Sequence, residues 1–320
     1  MKGKGLALLL AVVLAARGAG LLPPGREMEE LALVSALAAD KTASAVTVTA
    51  VTGVRASQNE EPRVLAGEGQ SLAEACHGLG EKGTTIPYLG QTDRLLVGEG
   101  LARTGLWDTL EFVLSDRDLR LDTLLYIVKG SAGEALSGSA VKAAGETGTE
   151  DPRGRTVGET LSRLAEGEYA PVPVLGPGED GTLESAGWAA VGPEGLVCFW
   201  TEEAAQGAEL LAGLGKGTVV PLADGSAVAL TQVRTWTWDG AVRCRLTAQN
   251  VRGDGSEAEL ESWGERQLRA VLASGLDCWG LDREQAALQP WAWEKIENAP
   301  VEQLTVKVTG RIEGSYERRN

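Results

Sequence analysis

The chain has 320 residues, of which 43% are hydrophobic, and its 30 Lys and Arg against 45 Asp and Glu give a formal net charge of -15. The hydrophobic content is too high for a disordered protein, and the length exceeds what one hydrophobic core usually supports, so two or three domains are expected. The excess of negative charge repels phosphate backbones and anionic lipid, which argues against nucleic acid as a partner.

Residues 1–20 have the pattern of an export signal. Lys2 and Lys4 form a basic start, and Leu6 to Ala16 is an uninterrupted apolar run. That run is about half of what a bilayer requires, so it predicts a signal peptide cleaved near Gly18 to Gly20, or a short membrane tether. No later segment has membrane-spanning length, and we expect the remaining chain to be exported.

The cysteines give no metal or redox motif. Cys76, Cys198, Cys244 and Cys278 are far apart in sequence, and His77, the single histidine, adjoins only Cys76. Zinc is therefore not expected. Disulfides and four buried thiols both stay open, because four cysteines allow three pairings that the sequence does not distinguish. We expect His77 to lie on the surface.

The N-terminal half is predicted to mix short strands and helices. Residues 27–40 begin with a helix-compatible stretch that leads into a strand, and residues 44–54 alternate apolar residues with threonine, as half-buried strands do. Ser71 and Glu74 have the spacing of a capping box. Strands are predicted at 94–97 and 124–128, and helices from 101 through 108–114 and at 159–165, after a polar loop at 145–158.

The C-terminal half is predicted to contain hairpins and two helices. Strands are expected at 186–191, 196–200, 219–222, 227–236 and 241–250, the last three joined by Asp-Gly turns. Thr201 is expected to cap a helix that reaches Leu214, and Ser256 with Glu259 to open a second helix ending near Ser274. Residues 304–312 read as a last strand. The predicted fold class is α+β, multi-domain, with antiparallel or mixed sheets and intervening helices.

No motif for chemistry emerges from the sequence. Residues 213–218 (GLGKGT) suggest a phosphate loop, but Lys216 is followed by Gly217 and a strand, whereas such a loop must open a helix. The segment is therefore predicted to stop a helix. Nucleophile-elbow, zinc-protease and calcium-loop motifs are absent, and no carboxylate has an apolar context that would suit acid catalysis. We expect no catalytic, cofactor-binding or metal-binding residue.

Two tryptophan pairs have the spacing of residues on one side of a strand. Trp236 and Trp238 are one pair, and Trp291 and Trp293 are the other. Packing against a sheet is the favoured interpretation, and stacking on a ligand stays open.

The order of segments along the chain resembles the Ger(x)C family, the C subunits of spore germinant receptors. Residues 26–32 (REMEELA) are similar to the family's R-E-I-x-E-L-A, and residues 95–102 (LLVGEGLA) to its I-I-I-G-E-E-L-A. Residues 116–120 (DRDLR) resemble its charged element, residues 126–136 the strand and helix that follow, and residues 187–200 a family hairpin. Residues 277–281 (DCWGL) are similar to D-x-F-G-F-G, and Trp293 with the last strand to the family's ending. Family members carry a lipobox cysteine before the first of these segments, whereas here no cysteine precedes Cys76.

The resemblance implies an N-terminal region at about 22–178 and a C-terminal region at about 181–317. It also implies a non-catalytic subunit on the outer face of the spore inner membrane, assembled with the membrane-embedded A and B subunits of a nutrient receptor. The candidate partner-contact residues are Arg117, Asp118, Arg120, Asp277 and Trp279, and Asp116 belongs to the same charged run as the first three.

Trp279 has two interpretations. Exposed, it would suit an interface anchor, and buried, it would stabilise its domain. The alternative function from another class is an extracytoplasmic solute-binding protein, in which the tryptophan pairs would line a cleft. An exported hydrolase has little support because the catalytic motifs are absent. The germinant, the state of the signal and the interface residues stay open.

Overall fold

The computed structural model describes residues 31–52, 63–80, 86–116, 118–138, 153–178, 183–289 and 300–315. The predicted signal or tether at 1–20, the tryptophans at 291 and 293, and most of the polar loop at 145–158 lie outside these ranges.

The first sheet has ten strands and is mixed. Its order is β10-β9-β8-β6-β5-β1-β2-β3, with β4 beside β1 and β7 beside β6. The neighbours β1, β5, β6 and β8 run parallel, and their apolar sequences such as LLYIV suit strands that are covered on both faces. The strands are β1 (Leu31–Lys41), β2 (Val46–Thr52), β3 (Arg63–Gly69), β4 (Ile86–Tyr88), β5 (Arg94–Gly98), β6 (Leu124–Val128), β7 (Arg155–Thr156), β8 (Ala170–Pro177), β9 (Leu183–Gly192) and β10 (Gly195–Trp200).

The second sheet has four strands in chain order, β11 (Val219–Pro221), β12 (Ala227–Trp238), β13 (Ala241–Arg252) and β14 (Thr305–Ser315). The β12–β13 hairpin closes at Asp239 and Gly240, whose φ values of 54° and 68° fit the turn that Asp-Gly favours. β14 pairs parallel with β13, so the second sheet is mixed as well.

Seven helices surround the sheets within the described ranges. They are α1 (Leu72–Gly78), α2 (Glu99–Ser115), α3 (132–138), α4 (Val157–Ala165), α5 (Glu202–Leu211), α6 (Glu257–Leu272) and α7 (Leu281–Leu288), with short 3-10 helices at Leu89–Gln91 and Val301–Gln303. None of the described helices is long and apolar enough to cross a membrane.

The helices and sheets enclose three clusters of buried side chains. One lies between the first sheet and helices α1, α2 and α4, and a smaller one lies on the opposite face beneath α3. The third joins the two sheets: Trp188, Ala190 and Trp200 of the first sheet pack with α5, α6 and the inner face of the second sheet. The α+β fold class is thus confirmed.

The predicted boundary at 178–181 falls in the connection between β8 and β9. These two strands are hydrogen-bonded neighbours over Ala170–Pro177 and Leu183–Val191. The ten-stranded sheet therefore takes strands from both predicted regions, and the division into two regions stays a prediction.

Most predicted strands and helices are present within the described ranges, but two local predictions are wrong. Residues 31–40 form a strand, as predicted, and β1 is paired on both sides in the sheet centre; the helix-compatible start at 27–30 lies outside the described residues. Ser256 and Thr201 precede their helices as predicted, but neither side chain makes a capping hydrogen bond. A complete capping box occurs instead at Thr156 and Glu159. The glycine-rich segment at 213–218 does follow a helix, which ends at Leu211, and His77 is exposed.

A carboxylate from β1 holds the start of α3. Asp40 accepts hydrogen bonds from Ser131 Oγ at 3.0 Å and from the backbone N–H groups of Ala132 at 2.8 Å and Gly133 at 2.7 Å. These donors would otherwise be orphaned at the helix start. The contact spans over 90 residues of sequence.

We predict that Asp40→Ala lowers the free energy of unfolding by about 2 kcal/mol, because hydrogen bonds to a charged acceptor are lost together. Denaturant unfolding measures the change. The control is Asp108→Ala, an exposed position on α2, which should change stability by less than about 0.5 kcal/mol. Equal stability of Asp40→Ala and the wild type would contradict the capping role.

Candidate partner-contact sites

The first predicted contact segment forms a turn after α2. Asp116 Oδ1 accepts hydrogen bonds from the backbone N–H groups of Asp118 at 2.8 Å and Leu119 at 3.2 Å. Leu119 is buried and ties the turn to the first core cluster. The carboxylate of Asp116 thus shapes the turn, and Asp118 lies exposed on its outside. Arg117 lies outside the described residues.

Arg120 lies exposed next to this turn, with its guanidinium paired to Asp122. Arg120 Nε donates to Asp122 Oδ1 at 2.8 Å, and Nη2 contacts the second carboxylate oxygen. Both side chains are 61% exposed. An ion pair this exposed contributes little to stability, so it can exchange partners at little cost.

The second predicted segment forms a turn between α6 and α7. Asp277 accepts hydrogen bonds from the backbone N–H groups of Trp279 at 3.2 Å, Leu281 at 2.9 Å and Asp282 at 3.1 Å. Burial raises the pKa of Asp277, and the neighbouring Asp282 raises it further. The carboxyl group is thus engaged within the protein, where it starts α7.

Trp279 lies half-buried against the core that joins the sheets. Its ring stacks on Trp200 of β10, with the ring centroids 5.3 Å apart and the planes inclined by 27°. Next to it, Arg283 of α7 forms ion pairs with Glu166 and Glu168, each at 2.6 Å. These contacts tie the turn before α7 to the segment after α4. A partner contact by Trp279 stays a prediction.

A cavity of about 370 Å³ opens beside Trp279. Helix α4 and the strands flanking it contribute Arg155, Glu159, Arg163 and Pro171 to its wall, and the turn contributes Cys278 and Trp279. Two contacts hold the guanidinium of Arg163 in place: its Nε donates to Tyr169 O at 2.9 Å, and its Nη2 lies 3.2 Å from Glu168. Two guanidinium groups and one ring could hold a small polar solute or a side chain of a partner.

Sequence reasoning missed the two arginines of this cavity. The capping box at Thr156, one residue after Arg155, is readable in the sequence and marks the start of α4. Sequence alone does not bring α4 to Trp279, because their separation along the chain exceeds 100 residues. The pair Trp236 and Trp238 does not line this cavity: it lies on the second sheet, with Trp238 exposed.

The four cysteines lie in the described part of the chain, and all four are free thiols. Burial raises the pKa of Cys76 to about 12 and that of Cys244 to about 11, and it also raises the pKa of Cys278 and of the half-buried Cys198. A nucleophilic cysteine needs the opposite shift. Within the described ranges, no group of three His, Cys, Asp or Glu side chains is placed to hold a metal ion.

We predict that a thiol reagent at neutral pH labels Cys198 first in the folded protein, because the other three thiols are buried. Mass spectrometry identifies the labelled residue, and Cys198→Ser should remove the early labelling. Unfolding without reductant should expose four thiols. Fewer than four would reveal a disulfide, and early labelling of Cys76, Cys244 or Cys278 would contradict their burial.

We predict that Trp279→Ala lowers the free energy of unfolding by about 2–4 kcal/mol, because the stacking on Trp200 and the packing against the core are lost. The control is Trp238→Ala, whose side chain is 42% exposed and should contribute less than about 1 kcal/mol. If Trp279→Ala is as stable as the wild type, Trp279 has no structural role and is available for contact with a partner.

Comparison with known proteins finds a similarity to spore germination proteins in the N-terminal part of the chain. The model of the family described as "Spore germination protein N-terminal domain" matches residues 24–144. No curated protein matches the sequence significantly. The crystal structure of the GerBC protein is similar in fold, with a TM-score of 0.53 and 16% sequence identity over 90% of this chain and 99% of that chain. The resemblance to the Ger(x)C family is therefore confirmed, and residues 24–144 are a spore germination protein N-terminal domain.

Proposed function

We propose that this chain is the non-catalytic C subunit of a nutrient germinant receptor, required for spore germination. The observation that carries the proposal is that the germination domain at 24–144 is part of a fold that matches GerBC over 90% of this chain. Burial raises the pKa of the Cys76 and Cys244 thiols, which argues against either of them as a nucleophile.

We place the subunit on the outer face of the spore inner membrane, next to membrane-embedded A and B subunits. The basic start and apolar run at 1–20 support export. In this assembly the turn at 116–120 offers the exposed Asp118 and Arg120 for contact, since neither is held by the core. Trp279 would contribute through the cavity that it lines, and Asp277 by holding the turn that carries Trp279.

The proposal predicts that spores lacking this gene lose the response to one set of nutrients, and that a wild-type copy restores it. Affinity purification of the tagged chain from membranes should recover an A and a B subunit. The double variant Asp118→Lys with Arg120→Glu should reduce this recovery by about fivefold or more, since it reverses exposed charges at the contact.

The control for this experiment is Asp108→Lys with Arg266→Glu, which reverses one exposed charge of each sign elsewhere. It should leave recovery unchanged. If germination is normal without the gene and the purified chain instead binds a small solute, the solute-binding alternative replaces the receptor role.

A further inference from the structure

Among the described residues, helices cover one face of the second sheet and not the other. Val242, Leu246 and Val306 alternate into the core beneath α5 and α6. Over residues 232–238 of β12, 243–251 of β13 and 305–313 of β14, the alternate residues point away from the helices and are exposed or half-buried. This outer face is therefore a surface built from three neighbouring strands.

The outer face is basic, although the chain carries a net charge of -15. Among the described residues, β12, β13 and β14 carry one carboxylate, Glu313, which pairs with Arg311 at 3.0 Å. The cations and rings that share this face are called the basic face, and they are Arg234, Trp236, Trp238, Arg243, Arg245, Lys307 and Arg311.

The strand register places like charges opposite one another on this face. Arg234 of β12 lies opposite Arg245 of β13, and Arg243 of β13 lies opposite Lys307 of β14. Like charges directly opposite each other in an antiparallel pair, such as Arg234 and Arg245, destabilise a sheet. The arrangement is unfavourable for folding alone, and it becomes favourable when an anionic surface covers the face.

Two tryptophans accompany the cations. Trp236 lies under the guanidinium of Arg245, which is 5.8 Å from the ring centroid. Trp238 is 42% exposed at the end of β12. Tryptophan together with lysine and arginine is the combination that favours the interface between water and lipid headgroups.

A depression of about 410 Å³ lies within the basic face. Arg245, Arg311 and Glu313 line it together with Gln232 and Thr247. It therefore combines two guanidinium groups, one of them paired with the carboxylate of Glu313, with neutral hydrogen-bonding groups. Neighbouring strands are about 4.8 Å apart, and four residues of a strand span roughly 13 Å. The basic face is therefore comparable in size to the Debye length, which is about 8–10 Å at physiological salt.

We propose that the basic face binds the surface of an anionic membrane, with the arginines and Lys307 next to lipid phosphates and Trp238 among the headgroups. The acidic remainder of the chain does not prevent this, because charges separated by more than a Debye length are largely screened. The choice of lipid as the occupant rests on the proposed location at a membrane. An acidic protein is the competing occupant.

The test uses the purified full chain and two kinds of vesicle: phosphatidylcholine alone, and phosphatidylcholine with one third phosphatidylglycerol. We expect co-sedimentation with the anionic vesicles that weakens as salt is added. The variant Arg234→Glu with Lys307→Glu should lower the partition coefficient by about 25-fold or more, since the loss of each basic residue at an anionic surface costs about fivefold and each new glutamate is repelled by that surface. Trp238→Ala should lower it further without changing the melting temperature.

The design separates binding from folding. Arg234→Glu and Lys307→Glu each convert a like-charge pair into an opposite-charge pair, so the variant should melt at or above the wild-type temperature. The control is Lys216→Glu with Arg266→Glu, which makes the same charge change at exposed positions off the basic face. It should bind the vesicles within about twofold of the wild type, as expected for a local effect. The apolar run at 6–16 is common to all variants.

Equal binding to both kinds of vesicle, or equal binding of the basic-face variant and the wild type, would overturn the inference. A different outcome is that the chain fails to bind vesicles while the basic-face variant loses its receptor partners. In that case the basic face binds protein, and the receptor role stands without lipid binding. If the vesicles are bound as expected but germination does not need the gene, the proposed function fails while the lipid-binding face stands.

Discussion

The close approach of α5 to α6 is the constraint on which the rest of the molecule depends. At Gly207 a Cβ atom would lie 2.1 Å from the carbonyl oxygen of Gln267, so only glycine lets the two helices meet at this distance. Helix α5 also contacts β9 and β10 of the first sheet and β12 of the second. The core between the sheets closes around this contact, and the stacking of Trp279 on Trp200 lies at its edge. A larger residue at 207 would separate the sheets and the turn before α7 together.

The elements that could be predicted are those whose signals are local. The Asp239-Gly240 hairpin and the alternation of Val306 and Val308 in β14 follow from neighbouring residues and agree with the structure. The parallel pairing of β14 with β13 could not be predicted, because its partner is chosen by packing across the sheet. The same holds for Asp40, whose carboxylate caps a helix far along the chain, and for Ser256, whose sequence fits a capping box that does not form.

At the candidate sites, too, the residue types could be predicted from the sequence, but their placement in the fold could not. Trp279 could be singled out from the sequence as a large apolar residue in a turn, but its partner Trp200 belongs to another sheet. Net charge argued against anionic partners because it averages over the chain. The alternation of β14 did place Lys307 and Arg311 on one side, yet Arg234 and Arg245 join them only through the register of three strands. The net charge of the whole chain therefore does not reveal a local surface of the opposite charge.

The connection between β13 and β14 has a consequence for how the protein acquires its structure. Residues 253–304, which include α6 and α7, separate the two strands along the chain, and the strands align in parallel. Closing such a long loop loses chain entropy before any strand contact compensates for it, and nonlocal pairing of this kind slows folding. Until β14 arrives, β13 presents an unpaired edge to other chains. The slow pairing of β14 with β13 is therefore also the step during which the protein is most exposed to aggregation.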